Sequence, residues 1–134
     1  MHNTLTISSN LTYTYAMKTA SDPRHRQRIR LMQSLFTASF KKEMPPSVKF
    51  IWGKLDDIDP LIAASAPEWP LAKLNPIDLA ILRLAVYELV IDKKAPYKVI
   101  IDEAVELAKQ FGGEASPAFI NGALGNIVNH DTPT

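Results

Sequence analysis

The segment from Arg24 to Arg30 reads RHRQRIR, four alternating arginines with a histidine between the first two, directly behind an Asp22-Pro23 pair. Arginine carries a permanent charge on a planar fork of donors, which grips phosphate oxygens in pairs and stacks on unpaired bases. The Asp-Pro pair marks a helix start, with a side-chain acceptor at the N-cap and a proline where the missing N–H costs nothing. The basic block therefore falls in the opening turns of a helix, where bare amides and the positive dipole end already disfavour cations. Stability alone gives no reason to put arginines there, whereas a polyanion would relieve the repulsion and find a ready phosphate site. Single-stranded RNA is the ligand class this chemistry suits; the competing reading is a solvated basic face that only aids solubility. At roughly 100° per residue, Arg24 and Arg28, with Lys41 further on, share one face, while Arg26 and Arg30 lie about 160° round the helix. No single ligand can touch all of them from the helix body, but those near the N-terminus can if that end frays or curls.

The rest of the composition narrows the class. Formal net charge is only +1 over 134 residues, but residues 17–42 hold seven cations (Lys18, Arg24, Arg26, Arg28, Arg30, Lys41, Lys42) against Asp22 alone. From Glu43 to Asp92 the balance reverses, with eight acids against four bases. The local block, not the total, speaks about partners. With no cysteine there are no disulfides and no thiolate metal ligands. No apolar run approaches the roughly 20 residues of a membrane span, so a cytoplasmic protein without membrane contact is expected. Catalysis finds little support: His2, His25 and His130 stand near the ends or in the basic block, and no nucleophile elbow or phosphate-binding glycine loop is present. Asp56, Asp57 and Asp59 lack the glycine and distal glutamate of a calcium loop. Neither an enzyme nor a cofactor or metal site is expected.

The elements that must position the arginines are helical. Asp22-Pro23, Asp59-Pro60, Asn75-Pro76 and Ser116-Pro117 each place an acceptor before a proline, and the apolar residues between them recur at helical spacing. Such faces are Ile29, Met32, Phe36 and Phe40; Val48, Ile51, Trp52 and Leu55; Leu79, Leu82, Val86 and Leu89; and Val99, Ile100, Ala104, Leu107 and Phe111. Gly112-Gly113 supplies a stop, and Pro45-Pro46 and Pro67 to Pro70 supply turns. The expectation is one all-α domain, a single helical bundle of about six helices near residues 22–42, 47–57, 59–66, 75–92, 96–111 and 116–129. Residues 1–16 carry no charge and have no second strand-like segment to pair with, so they are expected to form a disordered extension. Residues 17–130 would be the domain and 131–134 a tail.

From Leu82 to Leu124 the chain carries an LR-x-A-x-YEL helix, a P-YKV-x-I-x-EAVELAK-x-FG helix and an S-x-x-F-x-NG-x-L helix in that order. This ordered set resembles the C-terminal half of the NusB family of bacterial transcription antitermination proteins, and RHRQRIRLMQSLF is similar to that family's basic first helix, with Gln33, Leu35 and Phe36 in register. The resemblance covers Met17 to Val128, and the stretch between Phe40 and Ile58 is short by about a helix, which shortens the N-terminal half of the bundle. It implies binding of the single-stranded boxA element of nascent ribosomal RNA, jointly with the small-subunit ribosomal protein NusE, in a larger complex that can include NusA, NusG and RNA polymerase. By the same resemblance Arg24, His25, Arg26, Arg28, Phe36, Asp78, Ser116 and Phe119 take RNA-contacting positions. Taken as bare residues, Phe36 and Phe119 read equally as packed aromatics, Asp78 as a capping acid and Ser116 as an N-cap. The partner surface is expected around Tyr87, Glu88, Glu103 and Glu106, and Asn121-Gly122 as a buried amide beside a close helix contact. Where relatives carry an acid and a base, this chain has Ala115 and Ala118 flanking Ser116-Pro117. Two other functions stay open: a protein-interaction module of the same fold with little RNA affinity, and a stand-alone relative of the NusB-like domain of ribosomal RNA methyltransferases.

Overall fold

A computed structural model describes residues 22–41 and 43–131. Every regular element among them is helical: α1 (Pro23–Ala38), a 3-10 turn (Pro46–Val48), α2 (Lys49–Trp52), α3 (Leu55–Ser65), a second 3-10 turn (Leu71–Lys73), α4 (Pro76–Val86) running into a π-helical segment (Tyr87–Asp92), α5 (Tyr97–Phe111) and α6 (Ser116–Asp131). The expected all-α bundle of six α-helices is what forms. The expected extension over residues 1–16 and the end of the tail, residues 132–134, lie outside the described residues.

Helix α4 is the axis. Ala80, Ile81, Leu82, Leu84, Ala85 and Val86 are all buried, so the helix is apolar nearly all round, as a central element must be. Against it pack α1, α3, α5 and α6, and α5 and α6 also pair with each other. The core is continuous, from Met32 and Leu35 of α1 through Ile58 and Ile62 of α3 to Ile100 and Leu107 of α5 and Ile120, Leu124 and Ile127 of α6.

Two of the four proline marks behave as the cap rule requires. The Asp22 carboxylate accepts from the Arg24 N–H at 2.8 Å, and Asn75 accepts from the Ile77 N–H at 2.8 Å. Asp59-Pro60 does not start a helix; Pro60 sits inside α3, which begins at Leu55. Tertiary pairing takes the presumed cap away: both Asp59 oxygens are held by Arg83, Nε–Oδ1 at 3.0 Å and Nη2–Oδ2 at 2.9 Å, while the same guanidinium lies 5.1 Å over the Trp52 ring. The expected helix over 47–57 is correspondingly split, with Gly53 closing α2 by a bond from its N–H to the Lys49 carbonyl. Ser116 is also not an N-cap. It is the first residue of α6, and its Oγ accepts from the Gly113 N–H behind it at 2.9 Å. Helix α1 stops at Ala38 rather than 42, which leaves Phe40 66% exposed and touching only the edge of its expected face through Phe36, ring centroids 5.1 Å apart.

The two glycine positions that matter do opposite things. Gly112 ends α5 in extended backbone, and a Cβ there would meet the Ser116 side chain at 2.6 Å and the Ala108 carbonyl oxygen at 2.8 Å. Close approach of α5 to α6, not a left-handed turn, requires that glycine. Gly122 is the reverse and corrects the expectation of a close contact: it and Asn121 are exposed on α6, and a Cβ at 122 would meet nothing within 4 Å. Two single substitutions test this contrast by thermal unfolding. Gly112→Ala should destabilise by about 1–3 kcal/mol through overpacking, and Gly122→Ala should stabilise by up to about 1 kcal/mol through helix propensity. A neutral Gly112→Ala would contradict the close approach.

Candidate nucleic-acid interface

Helix α1 opens with its acid and its first arginine folded together. Asp22 caps the helix and also receives the Arg24 side chain, Nε–Oδ1 at 3.2 Å and Nη2–Oδ2 at 3.0 Å. That hydrogen-bonded cation holds the Asp22 carboxyl below its ordinary range and raises the Arg24 guanidinium further. The cap thus supplies the negative charge that the helix N-terminus lacks in its first turn.

The inward face of α1 is spent on an ion cluster. His25 is 1% exposed, and its Nδ1 lies 2.7 Å from Glu103 Oε1. Arg28 makes a two-pronged contact with Glu88, Nε–Oε2 at 2.9 Å and Nη2–Oε1 at 2.8 Å, and its Nη1 is 3.5 Å from Glu103. All four side chains are largely buried, so α1 is tied at one point to the π segment and to α5. His25 Nε2 is buried with no protein partner. The residues expected to bind RNA and those expected to bind a protein partner therefore meet each other: His25 contacts Glu103, and Arg28 contacts both Glu88 and Glu103. Glu106 is half-buried on α5, and Tyr87 is half-buried with its ring edge-to-face on Phe50 at 5.2 Å.

What faces outward is a different set. Arg24, Arg26 and Arg30 are exposed, and Arg30 is held by Gln27 through Nε and Nη2 at 3.2 and 2.8 Å. The two-face geometry of the sequence is realised, with Arg24 and Arg28 in one groove and Arg30 in another. Phe36 is half-buried against the core, as is Phe119.

Asp78 and Ser116 come together at the far end of α4. Ten residues of helix separate Asp78 from Glu88, about 15 Å, so the basic turn of α1 and the Asp78–Ser116 pair stand at opposite ends of that rod. Asp78 is only 8% exposed, and its Oδ1 is buried without a partner. Burial pushes its carboxyl above the ordinary range, against the opposing pull of the Ser116 hydroxyl beside it. A side chain held this way is no simple capping acid.

Comparison with known proteins bears on what these positions share. The NusB family model matches residues 15–129. The chain belongs to the NusB family. A Transcription antitermination protein NusB from Herpetosiphon aurantiacus is 42% identical over 98 residues, covering 71% of this chain and 67% of that one. One from Roseiflexus castenholzii is 48% identical over 80 residues, 58% of this chain and only 56% of the relative. The Thermotoga maritima protein is 35% identical across 83% of this chain and 94% of its own length. The solved structure of T. maritima NusB superposes with a TM-score of 0.71 at 33% identity, covering 84% of this chain and 94% of the other. The NusB fold is thus present although the middle is short.

Some parts of the site were not visible in the sequence. Nothing local links Arg28 to Glu88 or His25 to Glu103, sixty and seventy-eight residues apart. Phe50, next to the groove, carried one signal: it falls outside the Val48, Ile51, Trp52 and Leu55 face. Two tests follow from the geometry. Arg28→Ala should cost about 3 kcal/mol by stranding Glu88 and Glu103, and an added Glu88→Leu should recover part of it; additive losses would show that no pair exists. For Asp78, the native state holds its proton more tightly than the unfolded chain does. Its charge therefore takes away stability as pH rises from the ordinary carboxylate range through the raised value. Asp78→Asn should raise the melting temperature at about pH 7 and lose that advantage near about pH 3. A pH-independent difference would sink this account.

Proposed function

We propose that this chain is a non-enzymatic transcription antitermination factor that binds single-stranded, boxA-like RNA of nascent ribosomal RNA transcripts together with the ribosomal protein NusE. Membership of a family whose relatives carry the name of antitermination proteins supports the first part. The observation that carries the RNA reading is how α1's basic residues divide: His25 and Arg28 are paired inside, which fixes the helix, while Arg24, Arg26 and Arg30 are exposed. Exposed guanidinium groups on a rigid helix can pair with phosphates without loss of the fold.

On this reading His25 and Arg28 position the helix rather than touch the ligand. Arg24, Arg26 and Arg30 bear the phosphate contacts, Phe36 and Phe119 offer half-exposed rings to unpaired bases, and Asp78 with Ser116 marks the far end of the strand's path. The NusE contact would use the α5 face that includes Glu106, since Glu88 and Glu103 are committed to the α1 cluster. NusA, NusG and RNA polymerase would join through that larger assembly. The inward pairing of His25 and Arg28 also favours a second reading, a protein-interaction module with weak RNA affinity.

Titration of a single-stranded boxA-like RNA against salt, with and without NusE, separates the two. With about three to four phosphates neutralised, log K should fall against log salt with a slope of about −2 to −3. Changing Arg24, Arg26 and Arg30 together to alanine should flatten that slope while leaving the melting temperature within a few degrees. A flat wild-type slope, or equal affinity for scrambled RNA with NusE present, overturns the RNA reading.

A further inference from the structure

Between α1, α2 and the π segment lies an open groove of about 490 Å³, walled by Arg24, Gln27, Phe50, Tyr87, Asp92 and Lys94. We propose that this groove is a nucleotide subsite, in which one unpaired base of a single-stranded RNA stacks on Phe50 while Arg24 and Lys94 hold its flanking phosphates. It rests on the RNA reading above and extends it to a place the arginine block alone would not indicate.

Four observations carry it. Phe50 is 48% exposed, yet its ring is held edge-to-face against Tyr87 with centroids 5.2 Å apart and planes at 78°. An aromatic fixed on one side and open on the other is a stacking platform that every base can use. The charges are layered as a polyanion needs: Arg24 and Lys94 are 83% and 85% exposed, whereas Asp22, Asp92 and Glu88 beneath them are 29%, 27% and 14% exposed. The cations are the most exposed members, and Asp22 and Asp92, each paired with one of them at 3.0 and 3.7 Å, are much less so. The π segment builds the wall. Its i to i+5 bonding, seen in the 2.9 Å bond from the Lys93 N–H to the Glu88 carbonyl, brings residues five apart towards register, so Tyr87 and Asp92 line one groove. An α-helix would have turned them about 140° apart. Lys93 then takes a left-handed conformation, φ 55°, and Lys94 follows onto the rim. A non-glycine residue held there costs free energy that the fold has to supply. Asp92, whose Oδ1 lies 3.7 Å from Lys94 Nζ, completes the site with a carboxylate able to accept from a base's exocyclic amine.

An extended apolar peptide is a poorer occupant, because it would take the Arg24–Asp22 and Lys94–Asp92 pairs out of water without giving either cation a new partner. The test uses the full chain and a fluorescently labelled single-stranded RNA, with 2-aminopurine placed at each position in turn. Wild type should quench one position strongly. Phe50→Ala should weaken binding about tenfold and abolish that quench, and Phe50→Trp should restore both. Lys94→Ala should reduce the salt slope by about 0.7. Since Phe50 is half outside the core, the melting temperature of Phe50→Ala serves as the folding control. Unchanged RNA affinity and quenching in Phe50→Ala, with wild type binding normally, overturns the subsite alone; no RNA binding by wild type at any salt overturns it together with the preceding proposal. Loss of a protein contact in Phe50→Ala with RNA binding intact also overturns it.

Discussion

The Arg28–Glu88 pair, with Glu103 and His25 around it, is the constraint on which the rest depends. It is the only charge cluster among the described residues that ties α1 to both the π segment and α5, and it does so at the end of the bundle where α1 carries its outward arginines. Two acids withdrawn from water are tolerable because Arg28 meets Glu88 with two parallel bonds and Glu103 Oε1 lies near both His25 Nδ1 and Arg28 Nη1. The cluster does not contribute much net stability by itself. Its effect is orientation: with α1 fixed about its axis, Arg24, Arg26 and Arg30 have no inward place to go.

The same constraint explains the irregular backbone beside it. Glu88 must face α1, Tyr87 must meet Phe50 and Asp92 must reach the groove, and a regular α-helix cannot present all three on neighbouring walls. The π turn widens the helix enough to do so, and its cost is met by burial of α4 immediately before it. A shortened middle segment belongs to the same picture. Helix α2 is only four residues long, but Val48 and Ile51 are fully buried, so the short segment still closes the core while leaving Phe50 outside. At the other end of α4, Asp78 lies beside the Ser116 hydroxyl where α6 packs on α4, and Gly112 allows the close approach of α5 to α6.

Helix identity and the core were largely legible. Periodicity in residues 75–92 and 96–111 located the central helices, because a stripe every three to four residues has no other packed solution. Caps were legible where nothing distant competed, at Asp22 and Asn75, and misleading at Asp59, whose carboxylate is taken by Arg83 from another helix. Asn121-Gly122 read as a close contact because glycine in a helix interior usually has one, yet both residues are exposed. Among the site residues, Arg24, Arg26 and Arg30 follow the hundred-degree geometry of the helix itself. The inward fate of His25 and Arg28 does not, since it depends on acids sixty or more residues away.

The sequence by itself therefore determined the fold class, the family and the presence of a basic first helix, because these follow from short-range spacing, capping and the order of a few motifs. Which basic residues are buried and which acids they meet, the π turn and the groove around Phe50 were decided only by the tertiary structure. The reason is physical: helical periodicity acts within a turn or two, whereas a buried charge is paired by whatever side chain packing brings within 3 Å, whatever its distance along the chain.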